Sequence, residues 1–274
     1  MRFFLPTIAC LALGFAGVVV GSALSAQQAA ETSAAAKFKL PPGYLPITAL
    51  PDSLTLLPAP PEPGSAAFAQ DEHAHARAAA LRNTPRWTVA ASDADLHFPH
   101  AASLFSCAAD LSISKDATPR LYGLLGRMFV DVGLSTYRAK DHYKRTRPFV
   151  LHKEATCTPT EDTLLSADGS YPSGHSAVGW GWALVLTELV PSRADTILRR
   201  GRDFGESRVV CDAHWQSDVD AGRVIAAATV ARLHADAIFA ADLAAAKAEV
   251  AAAPRGAVTP DACAAQAAAL ASGP

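Results

Sequence analysis

Residues 169–190 read GSYPSGHSAVGWGWALVLTELV, and this stretch decides the fold class. Pro172, followed by Ser173, Gly174 and His175, predicts a tight turn, and the apolar run after the turn predicts a helix. Helical patterns also dominate the sequence on either side. No stretch of the sequence shows the sustained alternation and hairpin turns that are typical of strands. We therefore expect an all-α protein with a single compact helical domain.

Two further segments predict helices by their first residues. Thr118 precedes Pro119 as a cap precedes a first-turn proline, and Ser192 with Asp195 three residues later resembles a capping box. The Ala-rich residues 218–250 favour a helix by propensity. The first of these helices should pack into the core, because apolar residues recur along it at helical spacing: Leu121, Leu124, Leu125, Met128 and Val132.

The N-terminus predicts an export signal. Arg2 precedes an apolar run at residues 11–20, and small residues up to Ala26 form a cleavage zone. No later segment reaches the roughly 18 to 20 uninterrupted apolar residues that a membrane span needs. We expect a soluble mature protein that is periplasmic or secreted and has no stable membrane insertion.

The composition predicts that the chain divides into four segments. Residues 27–64 are rich in Ala and Pro, which predicts extended segments that wrap around the protein and do not form core elements. The helical domain should begin near Ser65, and the tail after Pro254 should be irregular, with Cys263 available to pin it. The predicted division is a signal at 1–26, an extended segment at 27–64, the helical domain at 65–252 and the tail at 253–274.

The composition limits the possible functions and the redox state. The chain has 274 residues, half of them apolar, and a formal net charge of −2, which does not favour a nucleic-acid or acidic-membrane partner. Removal of the signal leaves four cysteines. In an oxidising compartment they predict two disulfides, with three possible connectivities. The cysteines are Cys107, Cys157, Cys211 and Cys263.

A basic run, KDHYKRTRPF at residues 140–149, contrasts with this balanced charge. It is a solvated surface, a nucleic-acid patch or one wall of an anion site. On a helix, Lys140 and Arg147 are nearly two turns apart and project from one face, and Pro148 would end that helix. Lys144 and Arg145 would then have supporting or solvated roles.

The quoted stretch and residues 207–218, SRVVCDAHWQSD, supply the groups that complete an anion site. The first backbone N–H groups of a helix favour an anion, and Gly174 lets an oxyanion approach them closely. His214 and Asp218 are four residues apart, so a helix would let the carboxylate hold one imidazole nitrogen and leave the other reactive. Arg208 adds a planar fork for two oxyanion oxygens.

Together these groups fit phosphoryl transfer, which needs in-line positioning and charge stabilisation. The three segments resemble the motifs K-x6-R-P, PSGH and S-R-x5-H-x3-D of the type 2 phosphatidic acid phosphatase superfamily. The form of the first two motifs is closer still to the bacterial class A nonspecific acid phosphatases, and the similarity runs from about residue 64 to 250. The resemblance implies an all-helical fold shared with vanadium haloperoxidases, a periplasmic location and hydrolysis of phosphate monoesters without metal or other cofactor.

The resemblance also implies a role for each residue. His214 is the nucleophile that forms a phosphohistidine, Asp218 orients it, and His175 protonates the leaving alkoxide. The phosphate ligands are Lys140, Arg147, Ser173, Gly174 and Arg208. Because surrounding cations lower both histidine pKa values and bound phosphate raises them, we expect a bell-shaped profile with an acidic optimum.

The resemblance implies several partners and one cysteine pairing. The expected substrates are small phosphate monoesters, with nucleotides among them. The expected inhibitors are vanadate and phosphate. An alcohol could intercept the phosphohistidine. A homo-oligomer is expected. Because Cys157 and Cys211 flank the motif segments, we favour this disulfide, which leaves Cys107 for Cys263.

Some residues depart from the family pattern or stay outside it. Asp212 stands where many relatives have a small residue such as Gly, and Ser176 stands where Thr is common. His97 and His100 could line the substrate rim, but surface positions are favoured. The DEHAHAR segment, residues 71–77, suggests a metal site, but its spacing lacks the other ligands and favours an exposed helix; its histidines are His73 and His75.

Three other functions compete with the phosphatase. A vanadate-dependent haloperoxidase would use the same residue types to ligate vanadium, and a halide oxidation assay would detect it. A lipid phosphatase of the same superfamily would carry several transmembrane helices. A phosphate-binding protein without turnover would leave His175 and the pair of His214 and Asp218 without a purpose.

Overall fold

The apolar run after Gly174 is the central helix of the protein. The computed structural model describes residues 41–256 and 258–273, and within them there are helices, turns and loops but no strand, which confirms the all-α class. Short 3-10 turns occur at Ile47–Ala49, Pro159–Glu161 and Pro191–Arg193. The α-helices of the described residues are α1 Ser53–Leu56, α2 Ala66–Ala79, α3 Pro85–Ala94, α4 His100–Ser103, α5 Ser106–Ala109, α6 Pro119–Leu134, α7 Tyr137–Tyr143, α8 Pro148–His152, α9 Asp162–Ser166, α10 Gly174–Leu189, α11 Ala194–Val210, α12 Gln216–Leu233, α13 Ala237–Ala252 and α14 Pro260–Ala271.

Helix α10 is surrounded by α6, α11 and α12. Its Trp182 is fully buried and donates from Nε1 to the carbonyl of Leu125 on α6 at 3.0 Å. Gly179 allows α11 to approach, because a Cβ there would lie 2.2 Å from Cδ1 of Phe204. A helix that is apolar on most faces belongs in a core, as its position here shows.

Helix α6 begins and packs as its sequence predicts. Thr118 is its N-cap residue, Pro119 occupies the first turn, and the five residues of the apolar stripe are buried. The cap itself comes from elsewhere in the chain. The carboxylate of Glu249 on α13 accepts from the N–H groups of Arg120 and Leu121 at 3.0 and 2.9 Å. A carboxylate at this end also stabilises the helix dipole.

One predicted helix start was wrong, and one region predicted to be helical consists of two helices. Ser192 lies in a 3-10 turn and α11 begins at Ala194 without a side-chain cap. The Ala-rich residues 218–250 form two helices, because α12 ends at Leu233 and Asp236 caps a new helix by accepting from two backbone N–H groups. Among the described residues, no single helix is long and apolar enough to span a membrane, and the α12 and α13 pair meets that test only jointly, across a 96° bend.

The segments before and after the helical body are more ordered than expected. Tyr44 and Leu45 belong to the hydrophobic core, and their N–H groups donate to the buried carboxylate of Asp131 at 2.8 and 3.0 Å. The segment at 27–64 therefore contributes to the core in its described part, from residue 41 onward. The tail was predicted irregular but contains α14, since Pro260 opens an Ala-rich run of high helix propensity.

Both favoured disulfides are present. Cys107 pairs with Cys263, which ties α14 to the body, and Cys157 pairs with Cys211 at the end of α11. The predicted export signal at 1–26 lies outside the described residues.

Candidate active site

The sequence suggested that the basic run forms one helix, but the structure divides the run between two helices. Helix α7 ends at Tyr143, because Lys144 adopts a left-handed conformation with φ 44°. Arg147 is extended and is the N-cap residue of α8, so Pro148 begins a helix and does not end one. The conformation fits the rule that a residue before proline avoids the helical region. Lys140 and Arg147 thus lie on different elements.

The two cations nevertheless converge, and Asp168 joins them. Oδ2 of Asp168 lies 3.4 Å from Nζ of Lys140 and 3.2 Å from Nη2 of Arg147. Burial and then the charge of Arg147 lower the pKa of Lys140 to about 8, and burial lowers that of Arg147. The carbonyl of Gly169 also accepts from Nζ of Lys140 at 2.6 Å. Sequence reasoning missed Asp168; its position just before the PSGH turn was the available signal.

Arg208, on the last turn of α11, is a buried cation without a polar partner. It is 0% exposed, and none of its three guanidinium nitrogens has a hydrogen-bond partner among the described residues. Burial, followed by the charge of Arg147, lowers its pKa to about 10. A buried guanidinium is costly unless an anion pairs with it. An oxyanion in contact with Arg208 would offset this cost.

The PSGH turn is fixed against α12. The N–H of Ser173 donates to the carbonyl of Asp218 at 2.9 Å, and Gly222 permits the approach, since a Cβ there would lie 2.5 Å from the carbonyl oxygen of Ser173. The Oγ of Ser173 caps α10 by accepting from the N–H of Ser176 at 3.3 Å. Gly174 begins α10, so its N–H has no partner within the helix and is available to an anion.

His175 is held in one tautomer by a backbone carbonyl. Its Nε2 lies 2.9 Å from the carbonyl oxygen of Ala94 at the end of α3, so Nε2 carries the proton and donates it. Nδ1 is then the atom that can take up or release a proton at the site. Burial, followed by the charge of Arg208, lowers the pKa of His175 well below its usual value. The sequence had predicted the cationic contribution but not that burial is the larger cause.

His214 and Asp218 meet, but not on one helix as predicted. Trp215 is extended and α12 begins at Gln216, so His214 precedes the helix. Oδ2 of Asp218 accepts from the N–H of Trp215 at 2.9 Å and lies 3.3 Å from Nδ1 of His214. The carboxylate fixes Nδ1 as the protonated nitrogen, which leaves the lone pair of Nε2 reactive.

The reactive Nε2 of His214 faces a cation. It lies 3.0 Å from Nη1 of Arg147, which also donates to the carbonyl of Ala213 at 2.9 Å. Burial, followed by the charges of Arg147 and Lys140, lowers the pKa of His214 well below its usual value. His214 is therefore neutral in the empty site at ordinary pH, as a nucleophile must be.

Arg145 supports the site and Lys144 does not. Nη2 of Arg145 lies 2.7 Å from Oδ2 of Asp71, and Nη1 lies 2.5 Å from Oδ1 of Asp218. Lys144 is exposed. Of the two roles left open for this pair, Arg145 has the supporting one and Lys144 the solvated one.

The site opens into a cavity of about 290 Å³. Its basic lining residues are His175, His214, Lys140 and Arg147. Glu161 and Asp168 add two carboxylates. The lining also includes two exposed side chains, Tyr137 and Leu164, at 46% and 59%. The other apolar lining residues are Leu96, Phe129, Val130, Leu134, Leu165 and Val178.

The remaining histidines of the sequence analysis lie outside this cavity. Nδ1 of His97 pairs with the carboxylate of Asp95 at 2.8 Å, and Nε2 of His100 contacts the carbonyl of Ser92 at 3.1 Å. Neither histidine is among the cavity-lining residues. His73 is exposed, whereas His75 is not.

His75 lies with Glu154 and Asp212 in a group whose ligand-type atoms are within 4.8 Å of one another. Such a set could hold a metal ion in principle. However, Nη2 of Arg82 contacts the carboxylates of both Glu154 and Asp212, and its distance to Oδ2 of Asp212 is 3.0 Å. A cation would have to displace this guanidinium, so the residues present do not favour a metal.

The arrangement suits in-line transfer of a phosphoryl group. Lys140, Arg147 and Arg208, with the start of α10, can neutralise its oxygens. The neutral Nε2 of His214 can attack from one side, and Nδ1 of His175 can exchange a proton with a leaving or entering oxygen.

The chain is similar in sequence to known proteins. Residues 119–238 match the family model described as "PAP2 superfamily". A non-specific acid phosphatase of Providencia stuartii is 46% identical over 209 residues, which cover 76% of this chain and 84% of that protein. An acid phosphatase of Zymomonas mobilis is 41% identical over 214 residues, covering 77% and 80%. A non-specific acid phosphatase of Salmonella typhimurium is 45% identical over 178 residues, covering 65% and 71%.

Proposed function

Because the chain belongs to the class A non-specific acid phosphatases of the PAP2 superfamily, which hydrolyse phosphate monoesters, we propose that it does so through a phosphohistidine on His214. The observation that carries the proposal is the position of the two histidines. Both line one cavity, His214 with Nε2 unprotonated and 3.0 Å from Nη1 of Arg147, and His175 with Nδ1 as its exchangeable position.

The first step forms a bond from Nε2 of His214 to phosphorus and breaks the bond from phosphorus to the ester oxygen. His175, protonated at Nδ1, gives its proton to that oxygen, so an alcohol leaves. A bound phosphate dianion favours this protonation, because it offsets the effects of Arg208 and Arg147 on the pKa of His175. The guanidinium of Arg208 finds its hydrogen-bond acceptors in the phosphoryl oxygens.

The second step returns the enzyme to its starting state. Neutral His175 takes a proton from water at Nδ1, the water oxygen bonds to phosphorus, and the bond from phosphorus to Nε2 of His214 breaks. Inorganic phosphate then leaves. An alcohol in place of the water would give a new ester, which is phosphotransferase activity.

Further properties belong to the same proposal. Export to the periplasm or medium is supported by the signal-like N-terminus and by two disulfides. Inhibition by phosphate and vanadate follows from the anion site, since both present oxygens to the same cations. Small phosphate monoesters, with nucleotides among them, are the substrate class. A homo-oligomer is expected from the family.

The test is to trap the phosphoenzyme. Enzyme mixed with a 32P-labelled aryl phosphate and quenched within milliseconds should carry label that is stable to alkali and released by acid, as a phosphohistidine is. His214→Ala should carry no label and hydrolyse no ester, whereas His97→Ala, a change of an exposed histidine, should behave as wild type. Hydrolysis by His214→Ala would overturn the proposal. Halide oxidation with added vanadate is the assay for a haloperoxidase.

A further inference from the structure

His75 contacts the chain on both sides of His214. His214 is the last residue of a tight turn at residues 211–214, in which Asp212 is left-handed with φ 65°. Non-glycine residues occupy this conformation at a cost, so something must hold the turn in place. The N–H groups of Ala213 and His214 both donate to the carbonyl of Arg208, at 3.0 and 3.2 Å.

The side chain of Asp212 is the outer attachment of this turn. Its Oδ1 lies 2.9 Å from Nδ1 of His75 on α2, and its Oδ2 lies 3.0 Å from Nη2 of Arg82. The backbone carbonyl of Asp212 accepts from the N–H of Phe149 on α8 at 3.2 Å. Helix α2 therefore contacts the side chain of Asp212, and helix α8 binds its main chain.

The ring of His75 also packs near the residue after the nucleophile. It stacks on His152 with centroids 4.2 Å apart and planes 7° from parallel, and both imidazoles lie against Trp215, at 6.2 and 5.9 Å. Trp215 donates from Nε1 to the carbonyl of Thr146 at 2.8 Å. One imidazole thus lies at ion-pair distance from Asp212 and packs near Trp215, and His214 lies between these two residues in sequence.

The charges around His75 favour its protonated form. The facing ionisable groups are Asp212, Glu154, Arg82, His152 and, beyond His152, Glu72. The close contact with Asp212 raises the pKa of His75 despite partial burial. Burial raises the pKa of Asp212. The two groups form a charged pair at pH values between their titrations.

We propose that His75 is a positioning residue for the reaction, which holds the turn at Asp212 and thereby aims Nε2 of His214. The inference rests on the proposed function, because it assumes that His214 is the nucleophile. His75 itself contacts none of the phosphate ligands, so its loss should lower kcat more than it changes KM. The proposal gives Asp212 a purpose at a position where a small residue was expected.

The pH dependence of the effect has a definite sign. Below the pKa of His75 its contact with Asp212 joins opposite charges, and above that pKa the imidazole is neutral and this attraction is lost. Asparagine at position 75 would place a neutral donor near the same atom at every pH. The ratio of wild-type kcat to that of His75→Asn should therefore exceed one in acid and fall toward one as pH rises past the pKa of His75.

The test is a double-mutant cycle of His75→Phe and Asp212→Gly, with full pH profiles. His75→Phe keeps a stacking ring but loses the donor, and we expect kcat to fall about tenfold or more, since a displacement of about 1 Å can cost roughly a hundredfold. Glycine accepts the left-handed conformation and removes the acceptor. In the Asp212→Gly background, His75→Phe should therefore cause little further loss.

The outcomes separate positioning from general structural support. Equal losses of kcat in both backgrounds, or a rise in KM alone, would overturn the proposal. If His75→Phe does not fold, His75→Asn decides by the pH ratio described above, and a ratio of one at every pH overturns the proposal. His73→Phe, an exposed change on the same helix, is the matched control and should keep wild-type kcat. Activity in His214→Ala would instead refute the proposed function.

Discussion

Nη1 of Arg145 lies 2.5 Å from Oδ1 of Asp218, while Oδ2 of the same carboxylate lies 3.3 Å from Nδ1 of His214. Arg145 also pairs with the buried Asp71, so one guanidinium joins Asp71 to the carboxylate that contacts His214. This buried ion pair therefore helps to hold the carboxylate that contacts Nδ1 of His214, and with it the direction of the imidazole ring.

Arg145→Met should lower the free energy of unfolding by about 3 to 5 kcal/mol, the typical cost of removing one partner from a buried ion pair. Activity should fall with it, because Asp218 is left free to turn. Urea denaturation measures the first effect and steady-state kinetics the second. Lys144→Met is the matched control: it changes an exposed neighbour and should stay within about 0.5 kcal/mol of wild type. Equal stability of the two variants would contradict the structure.

Arg208→Met should separate activity from stability. The guanidinium has no hydrogen-bond partner among the described residues, so its loss should leave the stability of the empty enzyme unchanged or higher. The value of kcat/KM should nevertheless fall about a hundred- to a thousandfold, as expected for a lost oxyanion donor. Arg200→Met is the comparison, because Arg200 is equally buried but bonds Asp93 and the carbonyl of Leu104. It should be strongly destabilised, and a similar loss in Arg208→Met would refute the assignment.

Much of the fold was readable from local pattern, because the helices of the core bury continuous apolar faces. The stripe on α6 and the apolar run of α10 are examples, and both are buried as predicted. Boundaries failed where a few residues outweigh propensity. Asp236 starts a new helix inside an Ala-rich run, and Lys144 turns left-handed inside a basic run that looked helical.

The candidate site was readable in its motif residues but not in their partners. The four-residue spacing correctly predicted the contact between His214 and Asp218. The two residues do not share a helix face, because His214 precedes the first turn of α12 and Asp218 lies within that turn. The carbonyl of Ala94, which fixes the tautomer of His175, is 81 residues away and has no side-chain signature. Asp168 and His75 were missed for a similar reason, since their roles depend on contacts between elements that are distant in sequence.

Glu161→Gln should change which esters the enzyme prefers. Glu161 lines the cavity, which also has many apolar lining residues, and its charge reaches Arg208. A leaving group with a second phosphate should be disfavoured relative to an aryl one, and the variant should raise the relative kcat/KM of the polyanionic ester roughly fivefold, as about 1 kcal/mol of repulsion implies. The shift should shrink with salt. Glu188→Gln, an exposed carboxylate paired with His234, is the control. An unchanged ratio of the two esters would count against the prediction.

His175→Gln should make the empty enzyme less sensitive to acid. Burial holds the pKa of His175 well below its unfolded value of about 6.5, so the unfolded state binds its proton first as pH falls. In the wild type, the contribution of His175 to the free energy of unfolding is therefore complete above about pH 6.5. This contribution falls progressively at lower pH, until His175 also binds a proton in the folded protein. Glutamine keeps a donor near the carbonyl of Ala94 but takes up no proton. The stability gained by the variant should be near zero at pH 8 and grow as pH falls below about 6.5. Urea midpoints from pH 8 to 4 measure this, with His73→Gln on the exposed face of α2 as control. A gain that is the same at every pH would mean that packing, and not the proton, accounts for it.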